Sequence, residues 1–332
     1  MFRKTRRDLL IGAGKAIATG WVAGLLPRFL SAKTNRGSPW ASPFRVAVIT
    51  DEISQDFEHA CYIAAREFGM QWIEIRGLWN KNLMNLTSAE IDEAQRILKK
   101  YKLRVTDIAS PLFKVDWPGA PISKFSPKRD QFNANFGFDQ QPEVLEKCVE
   151  VAKAFQTDRV RGFVFWRLDA QAAYRKAINA RLADAAKQVA KHDIIFVLEN
   201  EHTCNTSTGA EAATVLAAVP AANFMLNWDP GNAAAAGEIP YPNGYDRLPK
   251  HRIGHCHCKD AAKKPDGTGY EWMPVGKGTI NWVGQFQALR QSGYTLGVSL
   301  ETHWRGAGTS EESSRESWAG MKADLQKAGA LS

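Results

Sequence analysis

Residues 253–260 read IGHCHCKD, two histidines, two cysteines and a lysine at the end of one short apolar run. In a β-strand, side chains alternate between faces, so His255, His257 and Lys259 share one face and Cys256 and Cys258 the other. A zinc knuckle needs thiolate and imidazole converging on one point, and this alternation sends them apart. One face carries polar ligands and the other small packing groups. That pattern fits a parallel strand with one side in a barrel mouth and the other against helices.

On both sides of this stretch the chain repeats a strand-then-helix cycle. Strands are expected at 45–50, 72–76, 104–109, 160–165, 194–198, 223–227, 253–260 and 296–300. Helices are expected at 56–68, 87–101, 142–155, 170–191, 210–218, 282–291 and 312–327. The second helix opens on a capping box, Thr87-Ser88-Ala89-Glu90. Eight cycles indicate an α/β fold, a single (β/α)8 TIM barrel over residues 44–328, without a second domain. The rhythm breaks at 110–141, where Phe113, Trp117, Phe125, Phe132, Phe136 and Phe138 sit among prolines and polar residues; an interruption of that length reads as a lid insertion. Residues 263–278 read as a glycine-rich loop.

The chain has 332 residues, 44% of them hydrophobic, which is ample for one large core. Its formal charge of +8 is concentrated at the start. Arg3, Lys4, Arg6, Arg7, Lys15, Arg28, Lys33 and Arg36 face Asp8 alone, so seven of the eight net charges precede residue 37 and the remainder carries +1. That is no footprint for a phosphate backbone, and nucleic acid is not an expected partner. The segment 1–36 looks like a twin-arginine signal, with Thr5-Arg6-Arg7-Asp8-Leu9-Leu10 ahead of an apolar stretch diluted by Gly12, Gly14, Lys15, Gly20 and Gly24. Those residues would make a poor spanning helix. The expected location is therefore periplasmic or otherwise exported, with the twin-arginine export machinery as a partner. The five cysteines, Cys61, Cys148, Cys204, Cys256 and Cys258, show no disulfide spacing.

In such a barrel the strand ends form the active face, and strands five to eight deliver Glu199, Asp229, His257 and Glu301. Three carboxylates and an imidazole suit a divalent metal in octahedral geometry, Mn²⁺ first, with Mg²⁺, Co²⁺ or Zn²⁺ as alternatives, leaving two positions for substrate oxygens. His202, His255 and Lys259 lie beside these ligands. Arg76, Trp166, Arg167 and Trp304 could line a carbohydrate pocket, as could Trp272. Each of these seven named first is a candidate substrate-binding residue.

The motifs LEN at 198–200, NWDPGNA at 227–233, GHCHCKD at 254–260, VGKGTINW at 275–282 and SLETHW at 299–304 together resemble the xylose-isomerase-like sugar isomerase/epimerase family, which also includes endonuclease IV, over residues 44–325. The resemblance implies that Glu199, Asp229, His257 and Glu301 are metal ligands. It also implies that Glu199 and Glu301 are the catalytic pair that removes a proton beside a carbonyl on one face and returns it on the other. Three positions depart from the pattern. Asn232 stands where ketose 3-epimerases have histidine, Lys277 where the family often has an acid, and Asn281 where aspartate is common. The function expected is a metal-dependent isomerase or epimerase of a non-phosphorylated sugar. The alternatives are a lyase or hydratase acting on 3-keto-glycosides by β-elimination, and an exported sugar-binding protein. The DNA-repair function is not expected: its multinuclear zinc site needs additional histidines, three of the seven here, His59, His192 and His251, fall on helical segments, and the charge beyond residue 36 is near neutral.

Overall fold

The computed structural model describes residues 39–121, 123–124 and 130–332. The twin-arginine segment expected at 1–36 lies outside them, as do Phe125 and part of the expected lid. Eight parallel strands make the barrel: β1 Arg45–Val48, β2 Trp72–Ile75, β3 Arg104–Leu112, β4 Arg159–Gly162, β5 Ile195–Glu199, β6 Phe224–Trp228, β7 Ile253–Cys258 and β8 Gly297–Leu300. From β2 to β8 each strand pairs with the next in sequence, β1 pairs with β8, and a single Ile49–Glu74 bridge joins the β1 and β2 edges.

The helices that follow the strands are α1 Phe57–Tyr62, α2 Ser88–Tyr101, α3 Gln141–Ala154, α4 Gln171–Ala190, α5 Gly209–Ala218, α6 Pro230–Ala235, α7 Trp282–Gln291 and α8 Ser310–Lys327. Thr87 caps α2 in the expected reciprocal way: its Oγ1 accepts from Glu90 N–H at 3.3 Å and the Glu90 carboxylate accepts from Thr87 N–H at 2.8 Å. Among the described residues no helix is long and apolar enough to cross a membrane.

The main core lies between the outer face of the strands and the helices, and it takes in Cys256 and Cys258. All five cysteines are buried and unpaired. The inner face of the barrel holds a small apolar cluster, Ile195, Val197 and Met225, with polar side chains above it. Glycine makes room there. A Cβ at Gly254 would stand 2.8 Å from Val197, and one at Gly297 would stand 2.6 Å from both the His255 ring and Thr106 Oγ1.

Four expectations are corrected. The third strand runs three residues further than 104–109, and the fourth stops at Gly162; beyond it Phe163 and Phe165 still donate to the Leu112 and Phe113 carbonyls, and Phe165 adopts φ 54°. The helix expected at 56–68 ends at Tyr62 and continues as a π-turn, Ile63–Glu67. The loop at 263–278 contains half of an antiparallel hairpin, Asp260–Lys263 with Tyr270–Met273.

Gly297→Ala is expected to destabilise the barrel by about 1–3 kcal/mol through overpacking against His255. Urea unfolding checks this, and an unchanged midpoint would show that the inner layer has slack.

Candidate metal centre and proton-transfer site

Glu199 ends β5, Asp229 follows β6, His257 lies on β7 and Glu301 follows β8. Each offers one donor atom, and the four donors lie within 4.8 Å of one another. His257 Nδ1 stands 3.3 Å from Glu301 Oε2, 3.5 Å from Glu199 Oε1 and 3.8 Å from Asp229 Oδ2. Such spacing suits ligands sharing one ion through bonds of about 2.1 Å.

The opposite ring nitrogen, Nε2, donates to the Glu74 carboxylate of β2 at 3.0 Å. That fixes the ring and turns Nδ1 toward the three acids, where it is buried without a hydrogen-bond partner. Burial opposes charge on His257, but Glu74, Glu199 and Glu301 raise its pKa well above that of ordinary imidazole. The position is therefore built for a positive species, proton or metal, and the donor set fits a divalent cation.

Both glutamates are held by an arginine. Arg161 Nη1 lies 3.0 Å from Glu199 Oε2, close but not aligned for a hydrogen bond. Arg76 donates to Glu301 at 3.1 Å, to Glu52 at 2.6 Å and to Asp51 at 3.0 Å, with its guanidinium carbon 4.6 Å from the centre of the Phe132 ring. Lys259 Nζ bridges Glu301 Oε2 at 2.6 Å and Asp229 Oδ2 at 2.9 Å. Burial works against ionising Glu301, yet Lys259, His303 and His257 hold its carboxyl well below the usual range. Burial likewise opposes charge on Glu199, which Arg161 and His257 overcome.

The other sequence candidates separate. His202 is half-buried beside the ligands, its Nδ1 3.0 Å from Asn232 Oδ1. His255 is fully enclosed one strand step below His257, and burial lowers its pKa to about 3, so it is a neutral group inside the barrel. Trp166 is buried with Phe163 and Cys204. Arg167 braces the loop after β5, donating to Glu211 at 2.8 Å and Ser207 at 2.9 Å. Trp304 is half-buried with its ring against Gly306.

The structure adds residues that the sequence reading did not single out. Glu74 anchors His257. Asp107 lies buried beside it without a hydrogen bond, its pKa raised to about 8 by burial and by Glu74. His303 Nε2 is 3.3 Å from Glu301 Oε1. Tyr270 Oη lies 2.6 Å from His202 Nε2, and the ring of Trp272, already a sequence candidate, lies 5.1 Å from Lys259 Nζ.

Two substitutions should move metal affinity in opposite directions in calorimetric titration with Mn²⁺. Glu74→Gln is expected to weaken binding by roughly 10–100-fold by releasing the His257 ring. Lys259→Gln should strengthen it about tenfold or more, because it removes an ammonium from two ligand oxygens. Equal affinities across the three proteins would contradict the assignment.

The fold has many solved neighbours. The IolI protein with a bound zinc atom superposes with TM-score 0.65 at 16% identity, covering 86% of this chain and 99% of that one. The probable 3-DHS dehydratase AsbF from Bacillus anthracis gives 0.62 at 20% identity, covering 84% and 98%. D-allulose 3-epimerase from Methylomonas sp., in complex with D-allulose, gives 0.61 at 16% identity, covering 88% and 99%. No curated protein matches the sequence. Residues 63–323 match the xylose isomerase-like TIM barrel family, and the chain belongs to that family.

Proposed function

We propose that the protein is a metal-dependent isomerase or epimerase of a non-phosphorylated sugar or sugar derivative, acting through an enediolate with Glu199 and Glu301 as the acid/base pair. The observation that carries this reading is the pair itself. Two glutamates, from β5 and β8, flank one imidazole nitrogen at 3.5 and 3.3 Å, and each has its own arginine. Moving a proton off one face of a carbon and back onto the other requires two such groups, held separately.

Glu199, Asp229, His257 and Glu301 would hold the cation, with Mn²⁺ the first choice. When bound, it would polarise the substrate carbonyl and offset the charge that develops beside it. Arg161 and Arg76 fix the two carboxylates against rotation. Lys259 offers a charged donor between Glu301 and Asp229, within reach of a substrate oxygen there. Arg76, Arg161 and Lys259 are all committed to carboxylates, which favours a substrate without phosphate. A fold neighbour that holds D-allulose is consistent with a free sugar. Export of the protein, read from residues 1–36, belongs to the same proposal.

The second reading is β-elimination from a 3-keto-glycoside, and the aromatic lining favours it. The half-buried Phe132 ring lies 4.1 Å from Lys114 Nζ, and the half-buried Trp272 ring covers Lys259 at 5.1 Å. Such faces suit a second ring. A dehydratase among the fold neighbours is in keeping with this reading.

Proton NMR in D₂O of the Mn²⁺-loaded protein with free ketoses and 3-keto-glucosides tests both. Deuterium is expected to enter the carbon beside the carbonyl as an epimer accumulates, with Glu301→Gln slower by about 10²–10⁴-fold. Loss of the aglycone with a new vinylic signal would select the lyase, and silence across the panel would sink both readings.

A further inference from the structure

The Asp260–Lys263/Tyr270–Met273 hairpin brings Tyr270 to His202, and the hydrogen bonds around that histidine leave it one neutral tautomer. Asn232 sets the first constraint. Its Nδ2 lies 3.1 Å from Glu199 Oε1 and 3.0 Å from Asp229 Oδ2, two acceptors, so the amide nitrogen must point to them and Oδ1 must point to His202. His202 Nδ1 then faces Asn232 Oδ1 at 3.0 Å and Glu201 Oε1 at 2.8 Å. Both are acceptors, so Nδ1 carries the hydrogen. Nε2 is left with its lone pair, and the Tyr270 hydroxyl donates to it at 2.6 Å.

Glu201 is itself fixed. Its Oε1 accepts from Thr203 N–H at 3.3 Å and Thr203 Oγ1 at 3.0 Å, and its other oxygen lies 3.7 Å from Lys114 Nζ. The rings pack edge to face, Tyr270 against His202 at 5.4 Å and Trp272 against His202 at 5.8 Å. Carboxylate, imidazole and hydroxyl in series is the arrangement that activates an oxygen nucleophile or passes a proton to an oxygen.

We propose that Glu201, His202 and Tyr270 form a proton relay serving the substrate oxygen that departs or adds, while Glu199 and Glu301 serve the proton on carbon. This rests on the elimination reading above. In the direction of addition, Tyr270 Oη takes the proton of the attacking O–H as its own proton passes to His202 Nε2, and Glu201 holds the imidazolium. In elimination, Glu301 takes the carbon-bound proton and the C–H electron pair becomes the C=C bond. In this direction His202 starts as the imidazolium that addition leaves, held by Glu201; the C–O bond breaks with its pair on oxygen, that oxygen takes the proton of Tyr270, and Tyr270 takes the Nε2 proton of His202, which returns to the neutral tautomer.

The test is one experiment in D₂O with wild type, Tyr270→Phe and His202→Asn, using methyl and 4-nitrophenyl 3-keto-glucosides as probes. Exchange of the carbon-bound proton and loss of aglycone are followed separately by NMR. Tyr270→Phe is expected to keep carbon exchange within about threefold of wild type while slowing loss of methanol by roughly 100-fold or more, and loss of 4-nitrophenol far less, because a good leaving group needs no acid. Equal loss of both signals, or loss of neither, would overturn the relay alone. Wild type that exchanges deuterium without shedding any aglycone would sink the elimination reading together with the relay. Independently, ¹⁵N NMR, assigned by difference with His202→Asn, should show Nδ1 protonated and Nε2 as an acceptor. The reverse tautomer would overturn the relay whatever the substrate.

Discussion

A carboxylate withdrawn from water is tolerable only beside a positive charge or a good donor, and this barrel withdraws at least seven around its working end. Glu52, Glu74, Asp107, Glu199, Glu201, Asp229 and Glu301 are all 6% exposed or less. Among the cations buried with them, Arg76, Arg161, Lys114 and Lys259 are fewer than the acids. The imbalance is met in two further ways. Asp107, squeezed by burial and by Glu74, moves toward the neutral acid, and His257 is pulled toward a positive form. A divalent cation among Glu199, Asp229, His257 and Glu301 would answer the same surplus at the one place where four donors converge.

The rest of the fold can be read as what this concentration of charge requires. The alternation of β7 sends Cys256 and Cys258 into the outer core and leaves the inner face for His255 and His257. Glycine at 254 and 297 clears space for Met225 and the His255 ring. The two arginines have the planar, multi-donor shape that lets one side chain satisfy several acids, as Arg76 does with Asp51, Glu52 and Glu301. The Phe132 ring lies over that guanidinium. Phe132, Asn133 and Asn135 all take positive φ, and Asn82 donates to the Phe132 carbonyl at 3.1 Å, so the segment is pinned where the ring is needed.

The barrel and its four strand-end donors were legible because both follow from local patterns. Strand periodicity repeated eight times, and an acid or histidine closed each of the last four strands. What could not be read depends on partners far apart in sequence. Glu74 lies mid-strand, and only the closed barrel brings it to His257, 183 residues away. Arg161 looked like an ordinary strand residue. Arg167 and Trp304 sat at strand ends like the four converging side chains, but Arg167 is taken by Glu211 and Trp304 folds against its own loop. His255 shared a face with His257, yet one step deeper the barrel is closed. The hairpin that supplies Tyr270 and Trp272 was hidden because its turn, Asp266-Gly267-Thr268-Gly269, dominates the composition of a stretch with only short alternation on either side.

Asn232 shows why one departure from the family pattern bears on the chemistry. An asparagine side chain has a donor end and an acceptor end, so at this position it serves two ligand carboxylates with one and His202 with the other. A neutral imidazole has a single N–H and could not satisfy both acids while also accepting from His202. A charged one could only donate, and would leave His202 Nδ1 to Glu201 alone. With asparagine there, the amide oxygen turned toward His202 joins Glu201 as an acceptor at Nδ1, and the two together favour the tautomer whose Nε2 accepts from Tyr270. The candidate metal ligands and the hairpin tyrosine are thus joined through one amide and one imidazole.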